Sequence, residues 1–181
     1  MNLQSDDFEL FDLPRRFAQD REAIDARWKA LQREAHPDRF AAQGEAARRL
    51  AMQWSVRINE ARQRLSDPLR RATYLCELAG VPVRAEDNTA MPADFLMQQM
   101  AWREALDEAG SLAELDALGT QVQAARDETL AALREAIDDA QDMPRAAALV
   151  RRLMFIERFA RERAERRHAL AEEAFATAAR Q

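Results

Sequence analysis

The amino-acid sequence predicts an all-α fold made of two parts. Most of the six prolines and four glycines fall between stretches in which apolar residues recur with the helical period of about 3.6 residues. β-Branched residues are few, and no stretch alternates apolar and polar residues as a half-buried strand would. Helix-breaking residues concentrate just after residue 80. We therefore predict one domain at 1–80, a linker at 81–91 and a second domain at 92–181.

The first two helices are delimited by aspartate and proline. A short helix at 8–13 ends before Pro14, and a second begins at Asp20, a favourable N-cap residue. Pro37 ends this second helix, because proline disfavours helical geometry in the residue before it. One face of the second helix is apolar and is expected to be buried, namely Ile24, Trp28, Leu31 and Ala35.

A third and a fourth helix complete the first domain. The third is predicted at 45–65, and Asp67-Pro68 has the N-cap and N1 residues that open the fourth, which runs to about Ala79. The apolar line of the third helix is Ala47, Leu50, Ala51, Trp54, Ile58, Ala61 and Leu65. We expect the second and third helices to pack antiparallel along their apolar faces.

Three helices are predicted in the second domain. The first covers 92–109 and is closed by Gly110. Ser111 and Glu114 have the spacing of a capping box and open the next, which runs to about Ala140 with a possible bend at Gly119. The last helix starts at Asp142, before Pro144, and is predicted to continue almost to the C-terminus.

The composition argues against several classes of function. A net charge of −5 is unlike that of a nucleic-acid-binding protein, which normally carries a basic excess. Cys76 is the only cysteine and the two histidines, His36 and His168, lie far apart, so we predict no metal site and no cofactor. No apolar run approaches the roughly 20 residues of a membrane helix. The acidic start of the chain lacks signal-peptide features, and we predict a cytoplasmic location without membrane partners.

The tripeptide His36-Pro37-Asp38 stands between the second and third helices. By itself it is consistent with a polar turn, because histidine suits a helix C-terminus, proline stops a helix and aspartate caps turns. A small helical enzyme that uses His36 and Asp38 is another alternative, although the sequence offers no matching nucleophile or second base. With an amphipathic helix before it, Arg39-Phe40 after it and a long helix following, the arrangement resembles the J domain.

Further segments resemble the HscB family, the J-domain co-chaperones of iron–sulfur cluster assembly. In order along the chain they are DFELFDLP at 7–14, LSDPLRRATYL at 65–75 and FLMQQMAWREALDE at 95–108. The resemblance implies a non-enzymatic adaptor with a J domain and a C-terminal three-helix bundle in a rigid L-shape. It also implies two protein partners, an HscA-like ATPase chaperone and an IscU-like scaffold protein. Leu78, Val81 and Val83 are candidates for sealing the junction.

The family resemblance implies that the tripeptide loop docks on the chaperone and stimulates its ATP hydrolysis. Asp38 would accept charge-assisted hydrogen bonds from an arginine of that chaperone. A positive face on the second helix would assist, made of Arg27, Lys29 and Arg33. These charges are also consistent with a simple solvated helix face, because acidic residues share the helix, namely Glu22, Asp25 and Glu34.

Helical geometry separates two sets of apolar residues in the second domain. At about 100° per residue, Phe95, Trp102 and Leu106 share one line that suits the core. Three others point away from this line, namely Leu96, Met97 and Met100. In the last helix Leu149, Leu153, Ile156 and Ala160 align, whereas Met154 and Phe155 face elsewhere. From geometry alone, either an exposed binding patch or a wide apolar face within a bundle explains this pattern.

The resemblance favours the binding patch and assigns it to the scaffold. The positions it implies are Leu96, Met97, Met100, Glu104, Glu108 and Phe155. The chain departs from the family at Gln98 and Ala101, where acidic residues are common, and at Ala35, where an aromatic is usual. The electrostatic part of scaffold binding is therefore expected to be weaker here or carried elsewhere. A J protein with a different client remains an alternative, since the loop alone does not identify the second partner.

Overall fold

The computed structural model describes residues 4–36, 38–40, 44–84 and 92–178 of the chain, with residues 177 and 178 described by their backbone alone. These ranges contain α-helices and no β-strand. The helices are α1 (Asp7–Phe11), α2 (Arg21–Glu34), α3 (Glu45–Ser66), α4 (Pro68–Leu78), α5 (Ala93–Glu108), α6 (Leu112–Arg134) and α7 (Met143–Ala178). The predicted all-α class is confirmed, and most predicted helix ends agree closely with these bounds.

The helix starts follow from local capping. The Asp20 carboxylate accepts from the backbone N–H of Glu22 at 2.9 Å and begins α2. Asp67 accepts from the N–H of Arg70 at 2.8 Å, with Pro68 as the first residue of α4. Ser111 begins α6 with a complete capping box. Each contact satisfies an N–H group that the first helical turn leaves without an intrahelical acceptor, which explains why these boundaries could be predicted.

The α2 and α3 helices lie side by side and antiparallel. Trp28 and Gln32 of α2 both donate to the Asn59 side-chain oxygen of α3, at 2.9 and 2.8 Å. The shared core between the helices includes Ile24, Leu31, Trp54, Ile58, Ala61 and Leu65. The predicted apolar line of α3 is wrong at Leu50, whose side chain is 47% exposed. The core line of α3 therefore begins at Ala51, one residue after Leu50.

A second hydrophobic core holds α5, α6 and α7 together. Its buried residues are Phe95, Trp102, Leu106, Ala109, Leu115, Leu118, Val122, Ala125, Ile156 and Phe159. The prediction that α5 turns the Phe95–Trp102–Leu106 line inward is confirmed. Trp102 stacks on Phe159 of α7 with ring centroids 5.4 Å apart.

The two parts of the chain meet through the first core, which extends into the C-terminal part. Residues from the end of α6, from the turn at 135–139 that follows it and from the start of α7 join the N-terminal residues there, namely Leu133, Ala136, Ile137, Ala146, Ala147, Val150 and Leu153. Val83 is buried in this cluster and Val81 packs against it, whereas Leu78 is 40% exposed, so Leu78 does not seal the junction as expected. The predicted linker at 81–91 lies outside the described residues from 85 onward.

The helical segment that starts with α6 ends at Asp139, close to the predicted end at Ala140, but its bend is not where it was predicted. Helical geometry continues through Gly119 without a break, and the irregularity comes later, as a π-helical turn at Glu135–Asp139. The backbone N–H of Ala140 donates to the carbonyl of Glu135 at 2.9 Å, which closes this wider turn. Across the described parts of the chain, no helix combines the length and the apolar character needed to span a membrane.

Candidate functional site

The loop after α2 forms a compact polar turn. The N–H of Ala35 donates to the carbonyl of Leu31 and closes the last turn of α2. The backbone N–H of Asp38 then donates to Nδ1 of His36 at 3.3 Å, and that of Arg39 donates to the His36 carbonyl at 3.0 Å. Residues 38–40 form a single 3₁₀ turn. Pro37, a predicted member of the site, lies outside the described residues.

The turn presents the Asp38 carboxylate to solvent. The Asp38 side chain is 90% exposed, and its Oδ2 lies 3.6 Å from Nδ1 of His36. When Nδ1 accepts the Asp38 N–H, a neutral imidazole carries its proton on Nε2. His36 thus stabilises the turn at its own Nδ1, while the carboxylate faces outward and is available to hydrogen-bond donors of another molecule. The predicted antiparallel packing of α2 and α3 is therefore present, and the turn between them carries an exposed carboxylate.

The positive charges on α2 do not share one face. Lys29 and Arg33 are both exposed and lie about 40° apart around the helix, at about 100° per residue. Arg27 is half-buried on another side of α2, and its Nε is shielded from solvent. The acidic neighbour Asp25 is engaged by Arg62 of α3, with 2.8 Å between Nη2 and Oδ1. The exposed positive charges of α2 near the turn are therefore those of Lys29 and Arg33, and Arg39 in the turn itself is exposed as well.

The outer side of α5 carries the second predicted surface. Met97 and Met100 are 72% and 73% exposed, and Leu96 is also exposed. Glu104 and Glu108 are exposed further along the same side of the helix. Thioether side chains adapt to an irregular partner surface, and the flanking carboxylates add charge to the rim. We call Leu96, Met97, Met100, Glu104 and Glu108 the α5 surface.

Phe155 differs from the residues of the α5 surface. It is half-buried on α7, and its ring meets Phe95 edge-on with centroids 5.6 Å apart. It also stacks on Phe159, at a centroid distance of 6.2 Å. The expectation that Phe155 faces away from the core is therefore only partly right, because its ring is also part of the aromatic packing beneath α5.

Gln98 and Ala101, the positions where the resemblance implies acidic residues, occupy different environments. Ala101 is exposed on α5, whereas Gln98 is half-buried. An acidic residue at 101 would thus be presented to solvent, while one at 98 would be partly covered. Of these two positions, only 101 would therefore present an added carboxylate fully to solvent.

Sequence reasoning did not single out the polar residue that joins the two helices behind the loop. Asn59 receives hydrogen bonds from both Trp28 and Gln32 and lies directly after the buried Ile58. The sequence contains one indication of this role. Asn59 is a polar residue next to the core residue Ile58, on the helix expected to pack against Trp28. Among the described residues, no three or more His, Cys, Asp or Glu side chains come together where they could hold a metal ion.

Comparisons with known proteins agree along almost the whole chain. The model of the HSCB C-terminal oligomerisation domain matches residues 91–163. The co-chaperone protein HscB homolog of Burkholderia mallei (strain SAVP1) is 50% identical over 165 residues, which cover 90% of this chain and 94% of that protein. The homolog of Azoarcus sp. (strain BH72) is 49% identical over 165 residues, covering 90% and 93%.

Solved structures give the same result for the fold. Chaperone HscB from Vibrio cholerae superposes with a TM-score of 0.78 at 36% identity, covering 92% of this chain and 99% of that one. Human co-chaperone protein HscB superposes with a TM-score of 0.85 at 26% identity, covering 91% and 83%. The similarity therefore extends over both hydrophobic cores.

Proposed function

The chain belongs to the HscB family of co-chaperones, and from this premise we propose that it stimulates the ATPase of an HscA-like chaperone and delivers an IscU-like scaffold to it. Its architecture is a J domain followed by a C-terminal helical bundle. Its relatives are named co-chaperones and not enzymes, which disfavours the alternative of a small enzyme using His36 and Asp38. The observation that carries the proposal is the exposed Asp38 carboxylate between two packed helices.

The J domain is proposed to act through His36, Pro37 and Asp38. A carboxylate accepts strong, short hydrogen bonds from an arginine guanidinium, and an exposed one is reached without unfolding anything around it. Lys29 and Arg33 extend the contact as a positive surface toward an acidic part of the chaperone. Arg27 is retained as a peripheral contact, since its side chain is half-buried and its Nε is shielded from solvent.

The C-terminal bundle is proposed to bind the scaffold through the α5 surface, with Phe155 at its edge. The exposed methionines supply an apolar contact that water leaves when a partner binds. Glu104 and Glu108 lie beside them and favour a partner with basic residues at the rim. We accordingly assign 1–80 to the J domain, 81–91 to the linker and 92–181 to the scaffold-binding bundle; the cytoplasmic location stays a prediction.

The proposal is tested by the ATPase rate of the cognate HscA-like chaperone. The rate is measured alone, with this chain, with an IscU-type scaffold, and with both. We expect stimulation by the chain and a further increase when the scaffold is added. Failure of the chain to change the rate would remove the proposed co-chaperone role.

The same measurement separates the alternative of a J protein with another client. In that case the chain stimulates the ATPase, but the scaffold adds nothing and is not retained by the immobilised chain in a pull-down. The pull-down is repeated with Met97→Ala, which should retain less scaffold if the α5 surface binds it. Met97 is highly exposed, so its truncation leaves the bundle core intact.

A further inference from the structure

The junction between the J domain and the C-terminal bundle contains one fully buried carboxylate, that of Asp138. Its Oδ1 accepts from the backbone N–H of Phe17 at 2.6 Å, and its Oδ2 accepts from the N–H of Ala18 at 2.8 Å. Phe17 and Ala18 belong to the segment that connects α1 to α2 in the J domain. A single side chain of the bundle therefore binds two consecutive backbone groups of the other domain.

The π-helical turn at Glu135–Asp139 presents this carboxylate. A π turn has one more residue than an α-helical turn, which changes the direction of the side chains around it, and such turns are frequent at functional positions. Ala136 and Ile137 remain buried in the shared core, while the adjacent Asp138 side chain reaches the J domain.

A second element of the J domain lies close to the same carboxylate. Arg71 of α4 is buried, and its guanidinium lies over the Phe17 ring, 5.1 Å from the ring centroid. Burial lowers the pKa of Arg71 from its ordinary value, and the charges of Asp67 and Asp138 oppose that effect. The Asp138 charge thus helps to compensate a buried cation that also packs on Phe17.

The two hydrogen bonds of Asp138 make the contact between the domains directional, which its apolar contacts alone do not. Apolar burial stabilises the contact but is non-directional, so it tolerates small rotations of one domain on the other. Hydrogen bonds weaken steeply when their angles change, and bonds to an ionised acceptor are stronger than neutral ones. Two such bonds from adjacent N–H groups define both a position and a direction.

We propose that Asp138 is a positioning residue that sets the orientation of the J domain relative to the C-terminal bundle. The loop with Asp38 lies on one body and the α5 surface on the other, so this orientation also sets the separation of the two partner-binding surfaces. The consequence for ATPase stimulation rests on the proposed function, whereas the orientation itself does not.

The orientation is tested by spin labels on the full-length chain. Labels are attached to cysteines introduced at two exposed positions, Arg21→Cys on α2 and Ala124→Cys on α6. Pulsed electron paramagnetic resonance then measures the distance between the two labels. The native Cys76 is buried, which raises its pKa to about 11, so it stays unlabelled in the folded chain. The compared variants are Asp138→Asn, which is nearly isosteric, and Asp139→Asn, which removes a neighbouring exposed carboxylate.

We expect a shifted or broadened distance distribution for Asp138→Asn and an unchanged one for Asp139→Asn. Circular dichroism checks that both remain helical. Should Asp138→Asn fail to fold, Asp138→Ser replaces it, because serine is small and cannot reach both N–H groups. Distributions that match the unsubstituted chain in the folded Asp138 variants overturn the proposal.

The functional consequence is read from the chaperone ATPase with and without scaffold. For Asp138→Asn we expect the chain alone to stimulate as before, and the additional stimulation by the scaffold to be lost. A full scaffold effect in a variant whose distances have changed overturns the link between orientation and coupling. If the unsubstituted chain itself shows no scaffold effect, the proposed function fails, and the label distances still decide the role of Asp138.

Discussion

The loop after α2 and the outer side of α5 are both proposed binding surfaces, yet they are built in different ways. The loop presents a charged group, Asp38, at the end of the α2–α3 hairpin. This group lies outside the hydrophobic core that holds the two helices together. The α5 surface lies on a helix whose opposite side, through Phe95 and Trp102, is the core of the bundle. A substitution at Asp38 is therefore expected to affect partner binding without affecting folding. On α5, a substitution is expected to affect either folding or partner binding, depending on which side of the helix carries it.

The largest effect on stability is expected from the buried side of α5. Trp102→Ala removes a ring that stacks on Phe159, and it should lower the free energy of unfolding by about 3–5 kcal/mol. Urea denaturation followed by circular dichroism measures this. Met100→Ala, on the exposed side, is the control and should change the same quantity by less than about 0.5 kcal/mol. Equal losses for the two variants would mean that the sides of α5 are assigned wrongly.

The loop should show the opposite behaviour, a loss of function without a loss of stability. Asp38→Asn removes an ionised acceptor, and hydrogen bonds to charged groups contribute about 1.5–3 kcal/mol. Stimulation of the chaperone ATPase should fall at least tenfold, while the melting temperature stays unchanged because the side chain is exposed. Glu128→Gln, an exposed acid on α6, is the control and should stimulate normally. A clear drop in melting temperature for Asp38→Asn contradicts the separation of the loop from the core.

A smaller effect is expected for the exposed methionines. Met97→Ala should weaken scaffold binding by about 1–3 kcal/mol if Met97 is a central contact. Isothermal titration calorimetry with the scaffold measures the affinity. Met52→Ala is the matched control, because Met52 is also a methionine, is 60% exposed and lies on α3 away from the α5 surface. If both variants bind alike, Met97 does not belong to the binding site.

The smallest effect is expected from restoring an acidic residue on α5. Ala101→Glu adds an exposed carboxylate next to the α5 surface, and an exposed ion pair contributes up to about 1 kcal/mol. Scaffold affinity should rise at low salt, and the gain should disappear at high salt because exposed charges are screened. Ala124→Glu on α6 carries the same charge change elsewhere. A gain that persists at high salt, or that appears in both variants, argues against a local electrostatic contact.

Predictions from local sequence patterns succeeded where the cause is local. The starts of α2, α4 and α6 depend on Asp20, Asp67 and Ser111, each of which satisfies N–H groups within its own first turn. The two sides of α5 were predicted because the apolar residues there follow one clear helical line.

Predictions failed where burial depends on a neighbour that periodicity does not reveal. Leu50 fits the apolar period of α3, but its side chain is largely exposed. Leu78 is similarly exposed near the junction. Phe155 was assigned to an exposed side of α7, although the ring of Phe95 covers part of it. Helical period identifies a stripe of apolar residues, but which part of the stripe is covered depends on the positions of other helices.

By itself, the sequence determined the helices, their caps, the polar loop between α2 and α3 and the division of α5 into a buried and an exposed side. Only the tertiary structure decided how the J domain sits on the bundle, because Asp138 and Phe17 are 121 residues apart. Nothing within one turn of either residue indicates their contact. It forms only once both cores have brought the π turn and the α1–α2 connection together, and so the relative placement of the two proposed binding surfaces is a property of the folded chain.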